Sequence, residues 1–417
     1  MSSEAIAEAF NKSVMPTYAP GLSLVKGQGS RVWDADGKVY LDFAAGISVV
    51  NVGHCHPRIV EAIRKQSEQL MHVSNLFYTE NQAILAERLN GLALGGKSFF
   101  CNSGAEANEG LFKLARLWGH AEGRYEVICM ENSFHGRTLA TVAATGQDKV
   151  KIGFDPLPEG FVHATYNDLA SVESLIGDKT VAIHLEAIQG EGGVVPADEE
   201  FIKGIRALCD ERNLLMLCDE VQCGMARSGN WFGFQGYGVE PDAFALAKAL
   251  GNGFPIGAVV AGEKLADVFQ PGNHATTFGG TPLACAAALA TLDVIEMERL
   301  VQRASVKGGN FKAKLAEFAD RFDHVTEVRG EGFMLGLVLD GPAQPLVDQL
   351  TDMGLLSIAT AQNVVRLLPP LNTPDDELEE ALDMIEDCLG GEDDEAAEDD
   401  ADGVDEAIPA ATTEETS

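Results

Sequence analysis

Residues 213–258 read NLLMLCDEVQCGMARSGNWFGFQGYGVEPDAFALAKALGNGFPIGA, and this stretch decides the fold. It holds two short apolar runs, Leu214–Cys218 and Ala243–Ala247, which are bounded by turn residues as in the buried strands of a parallel sheet. The first run is followed by Asp219 and the second by Lys248. Ligands of such sheets bind beyond the carboxyl ends of the strands, so we expect both residues to share one crevice.

A lysine beside an aspartate in a partly desolvated crevice suits pyridoxal 5'-phosphate (PLP). The amine of Lys248 would form a Schiff base with the cofactor aldehyde, and burial near positive groups would lower its pKa. Asp219 would keep the pyridine nitrogen protonated, which makes the ring an electron sink. An alternative needs no cofactor: Lys248 caps a strand and Asp219 is a solvated turn residue. The pair alone leaves both interpretations open.

The composition describes a large, acidic chain. Its 417 residues can bury an extensive core, which we expect to divide into one large and one smaller domain. The net charge of −34 argues against nucleic acid or an anionic membrane as a partner. Residues 391–417 carry twelve acidic residues and no Lys or Arg, so we predict a disordered acidic tail there.

The eight cysteines indicate a reducing compartment. None of them forms a CxxC motif and most lie inside apolar runs, which favours reduced core thiols over disulfides or zinc ligands, so no metal site is predicted. The N-terminal residues include Glu4 and Glu8 and lack the apolar stretch of a signal peptide. No stretch is long and apolar enough to span a bilayer. We therefore expect a cytoplasmic protein.

Strand and helix patterns alternate through the middle of the chain. Strands are predicted at Phe99–Cys101, Val127–Met130, Val181–Leu185, Leu214–Cys218, Ala243–Ala247 and Val259–Ala261. Helices are predicted up to Trp118 and at Glu199–Arg212. This alternation predicts an α/β fold with a mostly parallel, doubly wound sheet.

The rest of the chain predicts a smaller α+β domain. The predicted elements are short strands between Leu24 and Leu41, helices at Pro282 to about Leu300, Phe311–Phe322, Pro345–Met353 and Asp375–Leu389, and strands at Val325–Arg329, Met334–Leu339, Leu355–Ile358 and Val364–Leu368. We assign residues 76–285 to the large cofactor domain. Residues 1–75 and 286–390 are assigned to the smaller one.

A turn of small residues, Asn102–Glu106, joins one predicted strand to a helix. Free N–H groups and the helix dipole make such a turn a phosphate site. The alternative is an ordinary helix cap in which Ser103 and Glu106 form a capping box, and the turn alone favours that alternative.

With these residues assembled, the chain resembles the class III PLP-dependent aminotransferases from about Leu24 to Leu389. The signatures follow in order: LDFAAGISVVNVGHCHP, NSGAEANE, FHGRT, QGEGG, DEVQCG with Lys248 29 positions after Asp219, and TTFGG. The resemblance implies a PLP-dependent transferase of fold type I. It also implies that Lys248 carries the cofactor and that Asp219 bonds the pyridine nitrogen.

The resemblance implies further cofactor contacts. Gln222 would bond the ring hydroxyl oxygen, Phe134 would stack on the ring, and Val221 would also contact the cofactor. The phosphate would be bound by Ser103, Gly104 and Ala105. Thr277 would reach the phosphate from a neighbouring subunit, which implies a homodimer with active sites at its interface, and Thr276 would contact substrate. The alternative for both threonines is simple strand propensity.

Three charged residues would handle the substrates. By resemblance, Arg137 grips the carboxylate of N-acetylornithine or the distal carboxylate of glutamate, and Arg366 binds the α-carboxylate of glutamate. Glu191 would pair with Arg366 until glutamate or 2-oxoglutarate displaces it. Ile47 stands where enzymes for free ornithine carry a tyrosine, which favours an N-acylated ornithine.

The implied reaction is transfer of the δ-amino group of N2-acetyl-L-ornithine to 2-oxoglutarate in arginine biosynthesis. Succinylornithine, ornithine and 4-aminobutyrate remain alternative donors within the family. A decarboxylase or an aminomutase on the same scaffold is a more distant alternative, since two arginines that bind carboxylates point to glutamate as a substrate.

Overall fold

A seven-stranded sheet forms the centre of the structure, a computed structural model that describes residues 1–399, with side chains described for residues 1–390. From edge to edge its strands are Lys97–Cys101, Gly257–Ala261, Ala243–Leu246, Leu215–Asp219, Thr180–Leu185, Glu126–Met130 and Phe161–Ala164. Gly257–Ala261 runs antiparallel to both of its neighbours, and the other pairings are parallel. The predicted mostly parallel α/β sheet is confirmed.

The central sheet is apolar on both faces because helices cover both of them. Alternate side chains of a strand point to opposite faces. Leu217 packs in an apolar cluster on the side of helix Gly104–Gly119, whereas Met216 packs in a second cluster on the side of helix Glu199–Arg212. This burial fixes the register of the strand and leaves its last residue, Asp219, at the carboxyl edge of the sheet.

Helices precede, connect and follow the strands. The α-helices are Ser3–Ser13, Pro57–Ser67, Glu80–Leu92, Gly104–Gly119, Leu139–Ala144, Leu169–Leu175, Glu199–Arg212, Pro282–Met297, Leu300–Ala319, Gln344–Met353 and Asp375–Asp399. A further helical turn, Ala45–Ser48, has left-handed φ angles. Short 3-10 helices occur at His120–Glu122, Asp148–Val150, Gly233–Tyr237 and Lys248–Leu250. The last of these begins at the lysine singled out by the sequence.

Smaller sheets lie outside the central one. They consist of Leu24–Gln28, Arg31–Asp34, Val39–Asp42 and Leu355–Leu356; of Val325–Glu331, Met334–Leu339, Val364–Leu367 and Ile358–Thr360; and of Ile188–Gln189 with Val195–Pro196. Leu355–Leu356 comes late in the chain and pairs with the early strand Val39–Asp42, so distant parts of the chain build one sheet. The domain boundaries assigned at residues 75, 285 and 390 remain predictions.

Three predictions for the C-terminal part were wrong in their bounds. The helix expected to run to about Leu300 ends at Met297, and the helix expected near Phe311–Phe322 is the longer Leu300–Ala319. The break lies at Arg299, whose φ of 52° is incompatible with a continuous right-handed helix. The strand expected at Leu355–Ile358 is divided into two short strands that belong to different sheets.

The last described helix, Asp375–Asp399, extends into the segment for which an acidic disordered tail is predicted. Residues 400–417 of that segment lie outside the described residues, as do the side chains of residues 391–399. Within the described part of the chain, no helix has both the length and the apolar character needed to cross a membrane.

Candidate active site

Asp219 and Lys248 line one cavity of about 310 Å³ at the carboxyl edge of the central sheet. Their strands, Leu215–Asp219 and Ala243–Leu246, are parallel neighbours, and Asp219 is paired with Ala245. Both side chains therefore emerge beyond the same edge, where ligands of parallel sheets bind. The structure thus brings together the two residues at the ends of the apolar runs.

The carboxylate of Asp219 is buried and held by three hydrogen bonds. Its Oδ2 accepts from Nδ2 of Asn108 (2.7 Å) and from Nδ1 of His135 (2.8 Å), and its Oδ1 accepts from the N–H of Val221 (3.0 Å). Burial by itself would raise the pKa of Asp219, but the hydrogen bond and charge of His135 oppose it, so the pKa lies below its ordinary value. Asp219 is therefore a fixed negative charge beside the cavity.

Lys248 is partly buried, and its backbone is unusual. Its φ of 43° lies in the left-handed region, which a residue with a long side chain rarely adopts and which is common at functional sites. Desolvation, followed by the nearby positive charge of Arg366, lowers the pKa of Lys248 to about 8. A substantial fraction of the amine is then neutral in mildly alkaline solution, as a nucleophile or base must be.

Ser103, Gly104 and Ala105 line the cavity where helix Gly104–Gly119 begins. Oγ of Ser103 accepts from the N–H of Glu106 (3.2 Å), so the helix-cap alternative is correct for that side chain. The first N–H groups of a helix have no partner within it and favour an anion. Capping by the hydroxyl and phosphate binding by the backbone are therefore compatible.

Phe134 and Glu186 complete the wall beside Asp219. The ring of Phe134 lines the cavity, and its N–H donates to Oε2 of Glu186 (3.3 Å). Burial, followed by the negative charge of Asp219, raises the pKa of Glu186 well above its ordinary value. Ionisation of Glu186 is therefore disfavoured beside the carboxylate of Asp219, and Phe134 adds an uncharged aromatic face to the wall.

Arg366 and Glu191 form an ion pair close to Lys248. Arg366 is buried on strand Val364–Leu367, and its Nη1 donates to Oε1 of Glu191 (2.8 Å) and to Oε1 of Gln222 (3.0 Å). Burial alone would raise the pKa of Glu191, but the charge of Arg366 brings it below its ordinary value. The Glu191 side chain is 30% exposed, so it has room to move away from the buried guanidinium.

Among the described residues, five of the predicted site residues lie outside the lining of this cavity: Arg137, Glu191, Thr276, Thr277 and Arg366. Arg137 is exposed, with its guanidinium carbon 5.3 Å from the centre of the Phe134 ring. Oγ1 of Thr276 accepts from Nδ2 of Asn102 (3.3 Å), and Thr277 is exposed. Neither threonine belongs to a strand, so the strand-propensity alternative is wrong.

The cavity residues that were not singled out by the sequence include three with polar side chains: Asn108, His135 and Glu186. Asn108 and His135 stand inside the NSGAEANE and FHGRT signatures, where their polar side chains among small or apolar neighbours were the available signal. Glu186 directly follows the apolar strand Thr180–Leu185, much as Asp219 ends its own strand. The same strand-end rule could therefore have found it.

Comparison with known proteins identifies the family. A family model described as aminotransferase class-III matches residues 14–389. The chain belongs to the class-III aminotransferases. It is 47% identical over 383 residues to the acetylornithine aminotransferase of Caldanaerobacter subterraneus, covering 91% of this chain and 97% of that protein. It is 48% identical over 371 residues to the acetylornithine aminotransferase of Methanocaldococcus jannaschii, covering 88% of this chain and 93% of that protein.

Solved aminotransferases share the fold of this class-III aminotransferase. Ornithine aminotransferase from Toxoplasma gondii superposes with a TM-score of 0.91 at 32% identity, covering 95% of this chain and 96% of that chain. Acetylornithine aminotransferase from Elizabethkingia anophelis superposes with a TM-score of 0.84 at 35% identity, covering 94% and 100%. Another structure of the T. gondii enzyme is described with partial occupancy of PLP at its active site. The resemblance noted in the sequence is confirmed: the chain is a PLP-dependent aminotransferase.

Proposed function

We propose that this enzyme transfers the δ-amino group of N2-acetyl-L-ornithine to 2-oxoglutarate, giving N-acetylglutamate 5-semialdehyde and glutamate, as in arginine biosynthesis. The observation that carries the proposal is the ion pair of Arg366 with Glu191 close to Lys248. An arginine masked by a movable carboxylate suits an enzyme with one substrate that needs the guanidinium and one that does not. The names of the two relatives support acetylornithine as the donor.

The cavity fits PLP as the cofactor. When bound, PLP supplies an aldehyde carbon that exchanges amines and a ring that accepts electrons. Lys248 offers an amine whose pKa of about 8 suits a nucleophile and a base, and Asp219 offers an ionised carboxylate for the ring nitrogen. The remaining contacts would come from Phe134, Val221 and Gln222 at the ring and from Ser103, Gly104, Ala105 and Thr277 at the phosphate.

Lys248 also moves the proton of the reaction. Its amine would take the proton from the substrate carbon that bears the amino group and deliver it to the cofactor carbon, for which a pKa near the working pH is best. Asp219 remains ionised throughout because His135 and Asn108 hold its carboxylate. The negative charge beside the cavity is therefore constant while Lys248 changes its protonation.

The two half-reactions differ at the arginines. Arg366 binds the α-carboxylate of glutamate once Glu191 has moved away, whereas acetylornithine places no anion there and leaves the pair closed. Arg137 binds the carboxylate of acetylornithine or the distal carboxylate of glutamate, with Thr276 on the same substrate side. Ile47 offers no partner to a free ammonium group, which favours the acylated donor.

Mixing the yellow enzyme with glutamate alone tests the reaction class. We expect the absorption spectrum to change to that of the pyridoxamine form, because glutamate can complete its half-reaction without a second substrate. The donor is tested by kcat/KM for acetylornithine, succinylornithine, ornithine and 4-aminobutyrate, with acetylornithine expected to be highest. Release of carbon dioxide from glutamate would instead support a decarboxylase, and an unchanged spectrum would contradict transamination.

We further propose a cytoplasmic homodimer in which Thr277 serves the partner's site. In the single chain Thr277 is exposed and outside the cavity lining of the described residues. Large apolar side chains are exposed beside Thr277 and in a second segment of the chain. Phe278, the next residue, is 62% exposed, and in the second segment Leu76 is 80% and Phe77 is 68% exposed. Exposed apolar surface of this kind is typical of an interface.

A mixture of two inactive variants tests this arrangement. A Lys248→Ala chain and a Thr277→Asp chain, mixed and refolded together, form hybrid dimers in which one site has both normal residues. Random pairing then restores about a quarter of the wild-type activity. Mixing each variant with itself is the control, and no recovery in a mixture that light scattering shows to be dimeric would contradict the proposal.

A further inference from the structure

Residues 45–48, in the sequence AGIS, form a left-handed turn. Their φ angles are all positive: 45° at Ala45, 63° at Gly46, 63° at Ile47 and 60° at Ser48. Left-handed conformations crowd the Cβ atom against the backbone and normally occur as single residues, mostly glycine. A β-branched isoleucine is among the least suited residues for this conformation. The turn is therefore a strained segment that the surrounding structure must hold in place.

The turn is held by buried hydrogen bonds. Oγ of Ser48 donates to the carbonyl oxygen of Gln222 (3.0 Å) and accepts from Nε of Arg227 (3.1 Å). Nη2 of Arg227 donates to Oδ1 of Asn51, whose Nδ2 in turn donates to the carbonyl oxygen of Met225 (3.0 Å). Ser48 and Asn51 flank the end of the turn, so Arg227 grips it at two points.

Arg227 is unusual because it is buried without a carboxylate partner among the described residues. Its acceptors are neutral oxygens: the side chains of Ser48 and Asn51 and the carbonyls of Phe333 and Pro369. Burial lowers its pKa to about 9. Burying the charged guanidinium costs free energy of desolvation. The hydrogen bonds of the Arg227 guanidinium, which join the turn to two C-terminal segments, offset this cost.

The turn lies next to the cavity. Val49, directly after it, lines the cavity, and Gln222, to which Ser48 is anchored, also accepts from Arg366. Ile47 lies two positions before Val49, is not itself among the residues that line the cavity, and is 37% exposed. Its backbone is therefore held beside the cavity by the hydrogen bonds of Ser48, while its side chain is partly exposed.

We propose that Arg227 and Ser48 clamp residues 45–48 in the left-handed turn and thereby fix Ile47 where it discriminates an acylated from a free amine on the donor. This inference rests on the proposed function. Arg227 and Ser48 are positioning residues, since they act through Ile47. Loosening the clamp lets Ile47 leave its strained conformation, which lowers the preference for acetylornithine over ornithine and spares the glutamate half-reaction.

Ser48→Ala tests the clamp in the holoenzyme. We expect the ratio of kcat/KM for acetylornithine to that for ornithine to fall roughly tenfold, because small displacements of positioning groups have rate effects of up to about 100-fold. The rate of the glutamate half-reaction should stay within about twofold. Thr291→Val is the matched control, since it removes a buried hydroxyl that, within the described part of the chain, donates to the carbonyl oxygen of Ala287 in its own helix (2.9 Å). An unchanged ratio, or an equal loss in both half-reactions, overturns the proposal.

The strain is tested independently by the melting temperature of the holoenzyme. Asparagine tolerates the left-handed region, so Ile47→Asn should melt higher than Ile47→Val, which keeps the β-branch. Equal melting temperatures would overturn the claim that the turn is held under strain. Failure of the proposed function is recognised separately, in the wild type: there the preference for acetylornithine would already be missing before any variant is made.

Discussion

The active site has two sides that are built differently. Asp219 ends one strand and Lys248 comes just after its neighbour in the same sheet, so backbone pairing sets their separation. Glu191 and Arg366 come from a loop and from a strand of another sheet, and an ion pair brings them together. Backbone pairing cannot be exchanged during a reaction, whereas an ion pair with a partly exposed member can be. We infer that the first side serves every substrate and the second distinguishes them.

The largest effect is expected from Lys248→Ala, because this residue supplies both the nucleophile and the base. We expect kcat to fall by about 10⁴-fold or more for every donor and for glutamate alike. Stopped-flow spectra of each half-reaction are the measurement, and Lys203→Ala, at an exposed lysine, is the control. A loss confined to one half-reaction would break the distinction between the two sides.

Asp219→Asn should have the next largest effect, again in both half-reactions. The amide keeps the size of the side chain but removes the charge that His135 and Asn108 hold in place. We expect kcat to fall by roughly 10²- to 10³-fold, as for other preorganised electrostatic groups. His135→Asn should have a smaller effect of the same kind. If the loss fell on acetylornithine only, Asp219 would belong to the side that distinguishes substrates.

The sequence predicted the first side better than the second, for physical reasons. Strand ends can be read from apolar runs, so the sharing of one cavity by Asp219 and Lys248 followed from local pattern and the rule for parallel sheets. The contacts of Asn108 and His135 with Asp219 join residues 111 and 84 positions apart, and no local pattern carries such information. The role of Arg366 required the family resemblance.

Two features of the fold were also not predicted, because they depend on tertiary structure and not on local sequence. The antiparallel direction of Gly257–Ala261 depends on how its connection crosses the sheet, which its apolar sequence does not record. The pair Gly308-Gly309 hid the first half of helix Leu300–Ala319, because glycine weakens a helical pattern. Gly308 is explained by tertiary packing: a Cβ there would lie 2.3 Å from the backbone of Gly332.

The pH dependence of PLP recombination measures how the charge of Arg366, on the second side, affects Lys248 on the first. Desolvation and the charge of Arg366 lower the pKa of Lys248 to about 8, so the neutral amine accumulates as the pH rises towards that value. The rate at which apoenzyme recombines with PLP should therefore rise about tenfold per pH unit below pH 8 and level off above it. Nα-acetyl-lysine, whose amine is unperturbed, corrects for titration of PLP itself.

Arg366→Gln sharpens that measurement. Removing the positive charge relieves part of the repulsion on the Lys248 ammonium and leaves Glu191 to attract it, so the pKa should rise and the midpoint should move to higher pH. An unmoved midpoint would mean that desolvation alone sets the lysine pKa and that the two sides are electrostatically independent.

The smallest effect is expected from Glu191→Ala, and here the two half-reactions should separate. Without the carboxylate, Arg366 stays unmasked when acetylornithine binds, so its buried charge has no carboxylate partner during that half-reaction and keeps only the neutral amide of Gln222. Because Glu191 is partly exposed, solvent moderates the loss, and we expect a fall of about five- to tenfold in the rate with acetylornithine. Glutamate brings its own carboxylate to the arginine and should react nearly as fast as with the wild type. Glu191→Gln controls for side-chain volume. Equal losses in both half-reactions would show that Glu191 supports the site as a whole and does not switch Arg366 between substrates.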